Sequence, residues 1–330
     1  MSDNEFLACI LIGLLFIVLV TAGASQQNDE RLPLRSIDLI GLGDDYCIYY
    51  NDGPASVWDQ SWIRARLETY KVQAVRLGFM FTDASHGATD GSIYNEAKMK
   101  LVLGYLDASD VKGILLLQNN NVSCKLYAGS VAWYNNWIAV ANAFKDDDRV
   151  AAFSIFGEPE HYSGYDTWDP SITSTRQLQA RFLELAKAIH QIDPDRVVIM
   201  PFPMAYGNPN VQTYIDDIIA VGALQEPNLI FDVIHPYFTE DSGDMGMTPT
   251  QKAQWYLNNW IQPCINAFGA DRCYCGETFG FSSKTEAYQI EFLTAMLNVF
   301  VEEDIGFTVW SYFSSPNQSW QNEAIQSSNY

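Results

Sequence analysis

The chain alternates along most of its length. Short apolar runs recur, and each is followed by a longer amphipathic run. The apolar runs fall at Ile37–Gly41, Ala74–Phe79, Gly113–Gln118, Ala151–Phe156, Val197–Pro201, Phe231–His235, Cys273–Glu277 and Gly306–Trp310. Continuous apolar runs this short read as strands buried on both faces, which is the signature of a parallel sheet. Helix candidates follow at Val57–Tyr70, Tyr94–Asp107, Trp133–Phe144, Thr175–Gln191, Val211–Gly222, Thr250–Phe268 and Thr285–Glu303. The longest carry apolar residues at three- and four-residue spacing, such as Phe182, Leu185, Ala186 and Ile189. Eight strands alternating with helices predict an α/β fold, a single (β/α)₈ TIM-type barrel. The alternative is an open doubly wound sheet, but no glycine-rich phosphate turn follows the first strand.

At 330 residues the chain suits one large domain. It is 48% hydrophobic with 9 Trp, 18 Tyr and 18 Phe, enough apolar surface for a sizeable core. Residues 1–24 read as a signal peptide or membrane anchor, 25–35 as a polar linker and 36–330 as the barrel. Phe6 to Gly23 is nearly unbroken apolar sequence, and Ala22-Gly23-Ala24 resembles a cleavage site. The run is long for a signal, and Asp3 and Glu5 precede it where basic residues are usual, so cleaved signal and retained anchor both stand. Either places the barrel outside the cytoplasm, secreted or at the cell surface. Two sequons, at Asn121 and Asn317, agree with that location. Cys264 could bridge to Cys273 or Cys275, and buried free thiols are the alternative.

Nineteen basic against forty acidic side chains give a net charge of −21. Such a surface repels phosphate backbones and excludes nucleic acid as a partner. Scattered histidines, with no His-Glu-x-x-His and no Cys-x-x-Cys, point away from a metal, and no nucleotide loop or Gly-x-Ser-x-Gly elbow is present, so no cofactor is expected.

In a barrel of this kind active sites form at the carboxyl ends of the strands. Polar residues cluster there. Arg76 lies in strand two, Gln118 and Asn119 end strand three, Glu158 follows strand four, His235 and Tyr237 end strand six, Glu277 ends strand seven and Trp310 ends strand eight. Glu158 and Glu277 sit three βα units apart, so a closed barrel sets their strands across its mouth. Two carboxylates flanking one glycosidic bond, roughly 5–5.5 Å apart, support cleavage with retention.

These segments resemble glycoside hydrolase clan A, nearest the family 5 cellulase-like barrels. The resemblance spans Ile37 to Phe313 and rests on Val75-Arg76-Leu77-Gly78, Glu158-Pro159, His235-Pro236-Tyr237, Gly276-Glu277 and Thr308-Val309-Trp310. It implies Glu158 as acid/base, Glu277 as nucleophile, and Arg76, Gln118, Asn119, His235, Tyr237 and Trp310 around the sugar. Two positions depart from the family pattern. Gly157 stands where Asn usually precedes the acid/base, and Leu117-Gln118-Asn119-Asn120 stands where a His is common. The implied function is a retaining hydrolase of β-linked polysaccharide or oligosaccharide, acting as an endo-β-1,4-glucanase or β-mannanase. An exo-β-glycosidase, a transglycosylase or a non-catalytic carbohydrate-binding protein on the same barrel are the alternatives. Tyr162, Tyr165, Trp168, Phe202, Tyr206, Phe238, Phe279 and Tyr312 are expected to line the cleft. Trp133, Trp137, Trp255 and Trp260 are expected in the core.

Overall fold

Eight parallel strands close into a ring: β1 (Arg35–Leu39), β2 (Ala74–Phe79), β3 (Lys112–Gln118), β4 (Val150–Gly157), β5 (Val197–Pro201), β6 (Leu229–Asp232), β7 (Cys273–Thr278) and β8 (Gly306–Val309). Each pairs with the next in sequence. The ring closes where Ile37 of β1 lies opposite Val309 of β8. The computed structural model describes residues 35–39, 73–79, 96–108, 110–118, 127–159, 161–162, 165–203, 210–234, 236, 246–278 and 285–309. All belong to one unit, Pro33–Tyr330. The leader, the first helix candidate and the linker up to residue 34 lie outside the described residues, and Arg35, read as the linker's last residue, opens β1.

The strands fall where the apolar runs lie, with shifted ends. β6 starts at Leu229 rather than Phe231 because Asn228, at φ 52°, completes the preceding turn and Leu229 already pairs with Val198. Every residue of β7 and β8 is buried. A strand enclosed by barrel interior and helices has no water-facing side, so it cannot alternate polar and apolar residues.

Helices α1 (Glu96–Asp107), α2 (Val131–Phe144), α3 (Thr175–Ile192), α4 (Val211–Val221), α5 (Pro249–Tyr256), α6 (Gln262–Phe268) and α7 (Glu286–Glu302) form the outer layer. Ser130, Ser174, Asn210, Thr248 and Thr285 cap five of them by accepting from a first-turn N–H. Thr248 forms a full capping box with Gln251, and Pro249 follows it. The single predicted helix Thr250–Phe268 is interrupted by a π turn, Leu257–Ile261, closed by Gln262 N–H on the Leu257 carbonyl. Pro263 explains the interruption: it has no N–H to give Asn259, and its ring would crowd that carbonyl in an unbroken α-helix.

Aromatic pairs join the layers. Phe153 of β4 meets Trp137 of α2 at 5.6 Å, Phe231 of β6 meets Phe268 of α6 at 4.7 Å, and Phe307 of β8 stacks on Phe300 of α7 at 5.2 Å. Such pairs add ~0.5–1.5 kcal/mol each beyond the area they bury. Two arginines lock the amino ends of strands. Arg196, before β5, donates to the Phe144 and Val150 carbonyls and pairs with Asp193 at 2.8 Å. Arg272, before β7, donates to the carbonyls of Leu224, Glu226 and Leu229 at 2.8–3.0 Å.

Cys264, Cys273 and Cys275 are buried free thiols, so no short bridge links them. Burial pushes the Cys273 thiol up to about 12 and raises the Cys264 and Cys275 thiols as well, which disfavours the thiolates that form disulfides. Among the described residues no helix is long and apolar enough to cross a membrane.

Candidate active site

Glu158 follows a bulge, and Glu277 lies within one. On β4, Ser154 faces Leu116 and Gly157 faces Gln118, so β4 takes three steps where β3 takes two. On β7, Cys275 faces Phe307 and Thr278 faces Val309, again three steps against two. An extra residue breaks the period-two alternation and re-aims the side chains beyond it. The strands bearing Glu158 and Glu277 thus carry the same irregularity at the same end.

A bulge frees backbone groups from the ladder, and buried ones need new partners. On β4 the Ile155 carbonyl accepts from two indoles, Trp133 Nε1 at 3.0 Å and Trp137 Nε1 at 2.8 Å. The two tryptophans are one helical turn apart on α2, so they stack along one face. Both are fully buried, as core residues should be, yet each also has this polar task. Glu158 then adopts φ 46°, a left-handed conformation rare for a side chain with a Cβ. Holding it costs on the order of 1–3 kcal/mol, and such strain gathers at functional sites. The next carbonyl, of Pro159, accepts from Trp168 Nε1 at 2.9 Å. Glu158 itself is partly exposed.

On β7 the site is buried and charged. Glu277 is 1% exposed, and its carboxylate accepts from Arg76, which is wholly buried. Arg76 Nη1 also donates to the Gly276 carbonyl. Asp232, at the end of β6 and itself buried, accepts from Gly276 N–H through Oδ1 at 2.7 Å. Beside them Tyr274 and Thr308 hydroxyls bond across β7 and β8.

Of the eight residues read from the sequence, Arg76 and Glu277 are brought into contact. Glu158 stands at the same end of the ring, after β4. Gln118 pairs through its backbone with Gly157, and its side chain lies outside the described residues, as do Asn119, His235, Tyr237 and Trp310. Two of the aromatics expected on the cleft are instead core. Trp168 is 3% exposed and braces Pro159. Phe202 is equally buried, packed on Tyr214 and Phe268. Burying both removes their apolar area from water. Trp255 and Trp260 pack against the core but stay partly exposed. Asp232 was not among the candidates, although a lone acid inside Leu229-Ile230-Phe231-Asp232-Val233-Ile234 has to be paired if buried. Among the described residues no group of three or more His, Cys, Asp or Glu could hold a metal. A groove on the outer layer is lined by residues of α5 and α7, including Ala253, Ile290 and Thr294, and by none from a strand's carboxyl end.

The cellulase model, glycosyl hydrolase family 5, matches residues 61–315 and so covers both glutamates and Arg76. The chain belongs to glycosyl hydrolase family 5. Solved structures agree on the fold. A trimodular GH5_4 subfamily endoglucanase superposes with TM-score 0.66 at 15% identity, over 90% of this chain and 60% of that one. A GH5-4 broad-specificity endoglucanase from an uncultured bacterium gives 0.66 at 12% identity, over 91% and 95%. The endocellulase of Pyrococcus horikoshii, solved as a complex with cellotetraose, gives 0.60 at 13% identity, over 88% and 92%. No curated protein sequence matches the chain. As a family 5 member the protein is a glycosyl hydrolase, and its strand-four and strand-seven glutamates carry the irregular backbone and buried charge described above.

Proposed function

We propose that this family 5 hydrolase is an endo-acting β-1,4-glucanase that works with retention, Glu277 as nucleophile and Glu158 as proton donor. The observation that carries this reading is the matched pair of bulges, one at the carboxyl end of each strand that leads to a glutamate. The endoglucanase relatives, one of them bound to cellotetraose, support the choice of glucan, with β-mannan as the other backbone to test.

The Arg76 guanidinium favours the ionised form of Glu277, as a nucleophile requires. A Glu277 oxygen bonds to the anomeric carbon while that carbon's bond to the leaving oxygen breaks, and Glu158 gives its proton to the leaving oxygen. Water then attacks the same carbon, its proton passes to Glu158 and Glu277 is released. Asn119, His235, Tyr237 and Trp310, with the side chain of Gln118, are assigned to the sugar on sequence position. Exo action or transglycosylation would use the same two carboxylates. The apolar leader supports a location outside the cytoplasm, secreted or anchored, which protease accessibility on intact cells would test.

The test is hydrolysis of soluble β-1,4-glucan and β-mannan by the full chain, with Glu277→Ala and Glu158→Gln. Glu277→Ala should abolish sugar release. Glu158→Gln should lower the rate by ~10²–10⁴-fold on unactivated substrates, the usual worth of a general acid. Release that survives Glu277→Ala would refute the assignment, and glycan binding without turnover would favour a carbohydrate-binding protein.

A further inference from the structure

Asp232 is a buried carboxylate that the hydrolytic scheme does not use. Gly276, on which it acts, has no paired residue in either neighbouring strand: the β7 bulge takes it out of register with β8, and β6 ends at Asp232, opposite Tyr274. Its two backbone groups are satisfied by side chains instead. Asp232 Oδ1 takes the N–H at 2.7 Å, and Arg76 takes the carbonyl with one nitrogen while its other nitrogen holds Glu277. Asp232 is itself fixed. Its carbonyl accepts from Phe202 N–H at 3.0 Å, and the next residue, Val233, donates to Tyr274 O at 2.9 Å. Gly276 also leaves the room that Asp232 fills: a Cβ there would lie 2.6 Å from Asp232 Cγ and 2.8 Å from Oδ1, and closer still to Oδ2.

We propose that Asp232 is a positioning residue: by gripping the Gly276 peptide opposite Arg76 it sets where the Glu277 carboxylate sits. This rests on the reading of Glu277 as nucleophile. The acceptor atom is what the role needs, so Asn should replace Asp232 and Ala should not.

Labelling by an aryl 2-deoxy-2-fluoro-β-cellobioside tests it. Glu277 displaces the aryl oxide and keeps the fluorosugar, read by intact mass and peptide mapping. Rates are measured on the folded full chain, well below each variant's melting temperature. Asp232→Ala should lower the labelling rate constant by on the order of 10²-fold with the inhibitor's half-saturation little changed, the scale that a small misplacement of a reacting group produces. Asp232→Asn should recover most of that loss. Gly276→Ala, whose methyl displaces Asp232, should be slow as well. A purely structural Asp232 would lower the melting temperature and leave the labelling of folded protein at the wild-type rate, which would overturn the proposal. If Asp232→Ala does not fold, wild-type labelling by Gly276→Ala overturns it just the same. Wild-type protein that takes no label at Glu277 overturns the underlying nucleophile assignment instead, a distinct result.

Discussion

Arg76 and Glu277 form an ion pair with almost no exposure on either side. Removing one member of such a pair leaves the other charge buried and uncompensated, which costs about 3–5 kcal/mol. Arg76→Met is therefore expected to lower the unfolding free energy from a urea titration by that amount and to remove activity at temperatures where the protein is still folded. Thr278, next in the chain, shows the reverse case. Its hydroxyl is buried with no hydrogen-bond partner among the described residues. Thr278→Val keeps the shape and discards the orphan, so it should be neutral or stabilising by about 1 kcal/mol in the same titration. The charged residues of the site were legible in the sequence because each acid closes a run of apolar residues. Asp232 was less legible, because the reason to hold an acid there is not local in the chain. That reason, a bulge stripping Gly276 of its ladder bonds, is a property of two strands together and is not written in either alone.

At the scale of elements, the strands were visible because a barrel strand is apolar throughout. The bulges were not, since one extra residue in an apolar run leaves the run apolar. Trp133 and Trp137 were readable as core but not as donors to Ile155, for the same reason. Each indole supplies one of two bonds to a single carbonyl. Trp133→Phe and Trp137→Phe should each cost about 1 kcal/mol for the lost bond, with the double variant worse than the sum because the carbonyl is then left bare. Chemical denaturation of the two single variants and the double variant gives the coupling directly. The helix break at Pro263 was foreseeable from proline chemistry, yet the amphipathic pattern on both sides masked it.

Across the whole molecule the two ends of the barrel divide the work. Arg196 and Arg272 secure the amino ends through backbone carbonyls, while the carboxyl ends carry the buried charge and strain. Between α2 and β4, Asp147 is held below the usual carboxylate range chiefly by its hydrogen bonds to Arg149 at 2.6–2.7 Å. A carboxyl depressed in the folded state stabilises the protein above its unfolded value of 3.8 and loses that contribution as pH falls through the lower folded value. Asp147→Asn should thus lower the melting temperature near neutrality and matter progressively less as pH drops below about 4. Thermal melts across that range check the sign.

The central claim is that two glutamates, carried to one mouth by bulged strands, act in succession on one sugar carbon. The configuration of the first product reports it most directly, by proton NMR in the opening minutes of hydrolysis, before mutarotation. The β-anomer should appear first, since two inversions restore the starting geometry. First appearance of the α-anomer would mean a single displacement by water and would contradict Glu277 as nucleophile.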